Sequence, residues 1–290
     1  MALATEAPAI SRLGRRPPHV IDVLIEERAP KLAASPWFPL IRPPLYAMLG
    51  YGKARRMADA IAALGGRAAL DWASEMLSVK VETYGLERLP RAGRLVLMCN
   101  HPTGVADGVA VYDAIKGIRP DVMFFANADA HRISPRFDEV LIPVEWVEEK
   151  RTRERTRLTL TLTRQTMEAE KTLVIFPAGR IARRQPDGTL ADPEWAPTAA
   201  SIARKYEAPL APVHLDGPWS TLFHLFDGVS KELRDITVFH ELLNKRGGQF
   251  RMTVGPLISP EQLHDAPEVT PRLKRYIERD LAVDPDKPFV

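Results

Sequence analysis

One stretch constrains this 290-residue chain more than any other. Residues 95–99 read Leu-Val-Leu-Met-Cys, a short, wholly apolar run that fits a strand buried on both faces. The next five residues, Asn100-His101-Pro102-Thr103-Gly104, are turn formers. From 105 to 115 the chain is again mostly apolar or small and reads as a helix. A strand that ends in a sharp polar turn and re-enters a helix is where open α/β sheets place their chemistry. This turn supplies His101 and, six residues on, Asp107 near the start of the helix. Asp107 can reach back to one imidazole nitrogen and leave the other free as a base. An Asp in a first helical turn is also favoured by the helix dipole alone.

The same alternation runs through much of the chain. Residues 79–84 alternate as a strand, 95–99 form the second, 121–126 the third and 140–144 the fourth. Residues 132–139 are a short linking segment, and 157–171 are helical. Residues 172–176 form a fifth strand that ends in Pro177-Ala178-Gly179-Arg180. A helix at 198–206, a sixth strand at 210–214, largely helical residues at 219–244, a seventh strand at 249–254 and a closing helix at 271–281 complete the pattern. Strands and helices alternating through short connections mean an α/β fold: a mainly parallel sheet of about seven strands covered by helices.

Upstream, residues 1–36 are rich in Pro, Ala and Arg and read as a partly ordered arm. Residues 37–78 read as an N-terminal helical segment, and 79–290 as the main domain. In residues 53–79, Met57, Ile61, Leu64, Ala68, Trp72, Met76 and Val79 fall on one helical face, with Gly65-Gly66 as the point of division. Residues 35–49 mix aromatics, Leu, Ile and four prolines beside Arg42; they fit either a cover for the core or a dip into a lipid interface. No run reaches the ~18 apolar residues a spanning helix needs, and the first twenty residues show no secretory pattern.

Lys and Arg total 40 against 37 Asp and Glu, a net charge of +3 that gives no case for nucleic acid. The single cysteine, Cys99, precludes an internal disulfide. His131, His214 and His224 lack metal-ligand spacing, so no metal is expected. The densest basic run is 150–157, with Arg151 and Arg153. It suits a phosphate or anionic lipid, and equally an exposed helix start.

Three strand ends, taken together, resemble the glycerolipid and lysophospholipid acyltransferase family, of the 1-acylglycerol-3-phosphate acyltransferase kind. They are Asn100-His101-Pro102-Thr103-Gly104-Val105-Ala106-Asp107-Gly108, then Phe176-Pro177-Ala178-Gly179-Arg180-Ile181-Ala182-Arg183-Arg184, then Ala211-Pro212-Val213-His214. The His-Pro-x-Gly-x-x-Asp-Gly form resembles a bacterial, hemolysin-like branch. Five residues rather than the family's four separate His101 from Asp107. Ala178 and Arg180 stand where the family's Phe-Pro-Glu-Gly-Thr motif has Glu and Thr.

The resemblance implies a fold like that of glycerol-3-phosphate acyltransferases. It also implies transfer of a fatty acyl group from acyl-CoA or acyl carrier protein, as co-substrate rather than cofactor, to a lysophospholipid or other lipid-like acceptor. His101 is the expected general base and Asp107 its orienting partner. Asn100, Gly104, Gly179, Arg180, Arg183, Arg151 and Arg153 are the expected substrate-binding residues, with backbone N–H groups at the Gly104 or Gly179 turns as oxyanion donors. The expected location is cytoplasmic and peripheral, on the inner face of the cytoplasmic membrane. Two other classes stay open: a catalytically silent lipid-binding protein of the same fold, and an ester or thioester hydrolase.

Overall fold

The computed structural model describes residues 17–145 and 151–290. Five helices come first: α1 (Val20–Arg28), α2 (Pro30–Ala33), α3 (Phe38–Met48), α4 (Tyr51–Ala62) and α5 (Gly66–Leu77). The chain does break at Gly65-Gly66, where α5 begins, and the 53–79 stripe becomes two helices. α1 starts at residue 20, inside the stretch expected to be only partly ordered. Its Ile21, Leu24 and Ile25 are buried, and His19 caps it by accepting the Ile21 N–H at 3.1 Å.

The alternating part follows. β1 (Lys80–Tyr84), β2 (Leu95–Cys99), α6 (Val105–Ile115), β3 (Val122–Asn127), α7 (Ala130–Ile133), β4 (Leu141–Val144), α8 (Arg153–Glu168) and β5 (Thr172–Ile175) succeed one another. A two-stranded hairpin, β6 (Arg183–Arg184) with β7 (Leu190–Ala191), is inserted before α9 (Thr198–Lys205) and β8 (Leu210–Asp216). Residues 219–244 form three short helices rather than one long one: α10 (Thr221–Asp227), α11 (Lys231–Asp235) and α12 (Val238–Leu243). Gly228 closes α10, and the Ser230 hydroxyl caps α11 through the Leu233 N–H. After β9 (Gln249–Val254) the closing helix α13 (Ala266–Arg275) begins five residues before Pro271, because Asp265 caps it through the Glu268 N–H. It runs through one π turn at Tyr276–Asp280 into α14 (Leu281–Val283).

The seven-stranded sheet has the order β1-β9-β8-β2-β5-β3-β4. Every pairing is parallel except β8 with β9. β2 therefore lies at the centre with both faces covered, which is why all five of its residues are apolar. Leu95, Leu97 and Cys99 join the core under α5 and α6, and Val96 and Met98 join the core under α9 and α13. β9 carries only one apolar face; Gln249 and Arg251 alternate outward with Phe250 and Met252 inward. A third cluster packs α1, α3 and α4 against Ile236, Leu233 and Phe239 of the α11–α12 region. The C-terminal ends of β2, β5 and β8 thus meet on one edge of the sheet, which fixes where a site can form.

Candidate active site

The turn after β2 is built around one carboxylate. Asp107 is the third residue of α6, completely buried, and accepts four hydrogen bonds. Its Oδ2 takes the His101 ring at Nδ1, the Thr103 N–H and the Gly104 N–H, each at 2.9 Å. Its Oδ1 takes the Thr103 hydroxyl at 2.6 Å. A carboxylate only accepts, so Nδ1 carries the proton and Nε2 presents a lone pair. Gly104 makes the turn possible, with φ +93°; a Cβ there would lie 2.8 Å from the Ile181 side chain. The extra residue between His101 and Asp107 is absorbed within this turn.

His101 is held from two further sides. Its ring stacks, tilted by 31°, on Phe176 at 4.5 Å between centroids. Its backbone carbonyl accepts the Ala182 N–H at 3.0 Å, and its N–H donates to Asp192 at 3.0 Å. Asp192 also accepts the Trp195 indole N–H at 3.0 Å, and its own N–H donates to Glu278 at 2.6 Å. Burial pushes the Asp192 carboxyl up to about 7; nearby His101 and the Trp195 hydrogen bond oppose this, and Glu278 adds to it. This support was not foreseen. A buried acid in Asp192-Pro193-Glu194-Trp195 leaves no periodicity, and its partner Glu278 lies in the last helix.

The expected substrate-binding residues separate into groups. Asn100 gives both ends of its amide to the backbone of Leu215: Nδ2 donates to the carbonyl at 2.9 Å, and Oδ1 accepts the N–H at 2.6 Å. Buried and fully used, it clasps β2 to β8 rather than offering a group to a substrate. The Gly104 N–H is taken by Asp107 and the Gly179 N–H by the Phe176 carbonyl, so neither is available to an oxyanion. Gly179 does carry the turn after β5, with φ +59°. Arg180 follows it and is exposed. Arg183 stands next to Ala182, the residue bonded to His101, and is half-buried. Arg151 and Arg153 lie at the far edge: Arg151 Nε donates to the Glu145 carbonyl at 3.1 Å, and Arg153 opens α8. β4 is three strands from β2, about 14 Å at ~4.8 Å per strand. The turns therefore bring together His101, Asp107, Gly104, Gly179, Arg180 and Arg183, and leave Arg151 and Arg153 to one side.

A family model described as Acyltransferase matches residues 80–216, from β1 to the end of β8, and takes in all three strand ends. The match and the relatives support a glycerolipid acyltransferase family. Two relatives are each named lyso-glycine lipid O-acyltransferase. That of Phocaeicola vulgatus is 27% identical over 219 residues, covering 72% of this chain and 75% of the relative. That of Bacteroides thetaiotaomicron is 26% identical over 223 residues, covering 72% and 76%. Among solved structures, the 1-acyl-sn-glycerophosphate acyltransferase PlsC of Thermotoga maritima aligns with a TM-score of 0.47 and 16% identity, over 89% of this chain and 96% of that one. The protein is thus an acyltransferase. Among the described residues, no helix is long and apolar enough to cross a membrane.

Proposed function

We propose that this acyltransferase moves a fatty acyl group from an acyl thioester, carried on CoA or on acyl carrier protein, to the hydroxyl of a single-chain lipid acceptor, with His101 as general base. The observation that carries this reading is the His101 Nδ1–Asp107 hydrogen bond of 2.9 Å to a carboxylate that is itself immobilised by Thr103 and Gly104. Nε2 takes the proton of the acceptor hydroxyl as its oxygen attacks the thioester carbonyl. The tetrahedral oxyanion collapses, the C–S bond breaks, and the thiolate takes the proton back from Nε2. Asp107 holds the imidazole in the one tautomer that can do this and offsets the charge of the imidazolium. With Gly104 and Gly179 committed elsewhere, the N–H of Val105, the first residue of α6, is the donor we assign to the oxyanion, since it has no carbonyl four residues back within the helix.

A lysolipid acceptor resides at a membrane, and α3 supplies a face for one. Trp37, Leu40, Ile41 and Met48 are exposed, and Arg42, Arg55 and Arg56 lie exposed on the same helical pair. Phe38 and Tyr46, which the sequence pattern groups with them, instead belong to the buried cluster beneath α3. The lipid face is therefore one side of the stretch and the core cover is the other.

The test is turnover of purified protein with acyl-CoA or acyl carrier protein donors and lysolipid acceptors, following both acyl-lipid product and free thiol. His101→Ala should abolish product while leaving the melting temperature within a few degrees. Equal turnover by the variant would remove His101 from the mechanism. Thiol released at the same rate without acceptor would make the protein a hydrolase.

A further inference from the structure

The hairpin after β5 and the helix after β8 enclose a second cluster that the transfer step does not use. Arg183 lies with its guanidinium over the Phe223 ring, Cζ 4.6 Å from the centroid. Its Nη1 is buried without a hydrogen-bond partner among the described residues. Beside it, His224 is sandwiched between Trp219, with ring centroids at 4.5 Å, and Phe223, met edge-on at 5.3 Å. Both His224 nitrogens are buried and unpartnered as well. Buried donors without partners are rare because each costs roughly 1–3 kcal/mol; two residues in one place that leave theirs open mark a position shaped for something else.

Local charges decide what that is. The acid nearest Arg183 is Asp227, but the closest approach is 3.7 Å from Nε, too long for a hydrogen bond. Asp227 is engaged by Arg234 at 2.8 Å, and Arg234 also takes Asp235 at 2.6 Å. Two arginines and two aspartates balance, and Arg180, which also acts on Arg183, leaves one positive charge in surplus. Burial keeps His224 neutral near pH 7, opposed by Asp227 and Glu241 and aided by Arg183 and Lys245. A neutral imidazole gives one N–H, and Arg183 Nη1 gives another donor. Two donors in one cluster and one unit of charge suit a carboxylate better than a phosphate dianion.

The position is prepared and tied to the reaction centre. Glu241 on α12 and Lys245 just past its end form an almost fully buried pair at 3.1 Å. Lys245 Nζ donates to the Trp219 carbonyl at 3.1 Å and the Ser220 hydroxyl at 3.0 Å, and Glu241 Oε1 accepts the Phe223 N–H at 3.2 Å. These bonds set the start of α10, and with it Trp219, Phe223 and His224. On the other wall, Arg183 follows Ala182, whose N–H is bonded to His101. Gly217, in the connection to α10, packs so closely that a Cβ there would meet the Thr103 methyl at 2.8 Å.

We infer that Arg183 and His224 form the seat for an acidic head group on the acceptor, a carboxylate in chemical class, and so select which lysolipid reaches His101. The inference rests on the transfer reaction proposed above and adds the identity of its acceptor's polar end. Trp219, 44% exposed, with Leu225 exposed on α10 and Val229 exposed just past its end, gives the acceptor's chain an apolar exit from that seat.

The experiment compares three acceptors of equal chain length: an N-(hydroxyacyl)glycine, its methyl ester, and a 1-acyl-glycerol-3-phosphate. Wild type should favour the free acid over its ester and over the phosphate. Arg183→Gln should raise KM for the acid about ten- to a hundredfold, the loss expected of one charge-assisted contact, with a much smaller change in kcat and in donor KM. Its preference for acid over ester should collapse. Arg183→Lys should recover part of the loss, and His224→Phe, which keeps the ring packing, should raise KM several-fold. A seat with no selective role would leave the acid-to-ester ratio untouched in all three variants, and that result overturns the inference. A wild-type preference for the phosphate that Arg183→Gln abolishes overturns the carboxylate assignment. Binding separates this from the chemistry: in the inactive His101→Ala background, the N-(hydroxyacyl)glycine should change the fluorescence of Trp219 relative to a Trp219→Phe control, and Arg183→Gln should weaken that response. Saturable binding without turnover by wild type would instead count against the transfer reading and leave the seat standing.

Discussion

Asp107 makes two demands on the protein that substitution can separate. Its carboxylate satisfies buried donors from Thr103 N, Gly104 N and His101 Nδ1, and takes the Thr103 hydroxyl as well. Asp107→Ala leaves the three N–H donors without an acceptor in a site sealed from water. At roughly 1–3 kcal/mol each, the loss is about 3–9 kcal/mol, a large part of a typical domain's ~5–15 kcal/mol. Asp107→Asn is different. Its amide oxygen can replace Oδ2 for all three N–H groups, and its NH2 can donate to the Thr103 hydroxyl, which also accepts. Only the charge assistance goes, about 1–2 kcal/mol of stability. Catalysis should not be spared in the same way. At the 2.9 Å separation seen here and an effective dielectric of ~20, the carboxylate favours an imidazolium by up to about 6 kcal/mol. Asn should therefore keep the fold and lower kcat by ~10²–10⁴-fold, with little change in either KM. Urea unfolding and saturating steady-state kinetics on the same preparations make the measurement. An Asn variant with wild-type kcat, or an Ala variant as stable as wild type, would refute the reasoning.

Other outcomes follow from the same geometry. Asp192 holds its proton to about pH 7 when folded and releases it near the ordinary carboxyl value of 3.8 when unfolded. Because the native state binds the extra proton, stability should fall as pH rises from about 4 to 7, at most by about 1.4 kcal/mol per pH unit; Asp192→Asn should flatten that slope in urea titrations at stepped pH. Trp37→Glu with Leu40→Glu should abolish flotation with anionic vesicles at low salt while leaving transfer to a micellar acceptor intact; unchanged flotation would place the membrane face elsewhere. Lys245→Met, which strands the buried Glu241 charge, should cost about 3–5 kcal/mol, and Lys245→Met with Glu241→Leu should recover much of it in a thermal melt. Arg180 is exposed, so Arg180→Lys should raise acceptor KM only slightly and Arg180→Ala more; identical constants in both would make it an ordinary surface residue.

The centre of the sheet was legible because its strands are buried on both faces. Run 95–99 has no polar residue and run 172–176 only Thr172 at its start, and the helices between them are long enough to carry a period. The His101–Asp107 contact was legible because a six-residue turn closes it locally. What the sequence hid depends on distance along the chain. Asp192 reaches His101 from a loop 91 residues later, and Asn100 finds Leu215 after 115. Hairpin β6–β7 pairs only two residues on each side, too few to show an alternation. His224 gave no sign of its setting because its neighbours Trp219 and Phe223 stack by tertiary packing, and Arg183 comes from another element.

The clasp between Asn100 and Leu215 also sets an order of events during folding. Joining two points 115 residues apart costs about 4 kcal/mol in loop-closure entropy, more than two hydrogen bonds return. The clasp must therefore wait for β8 to dock beside β2, and β8 must first be released by the ribosome. Until then β2 has one open edge and the turn that follows it has no fixed far wall. A nascent chain stopped anywhere before residue 210 should carry a wholly apolar strand with at least one open edge, a template for aggregation. Catalytic competence in this protein should accordingly appear late and in a single step, with no partly active intermediate along the way.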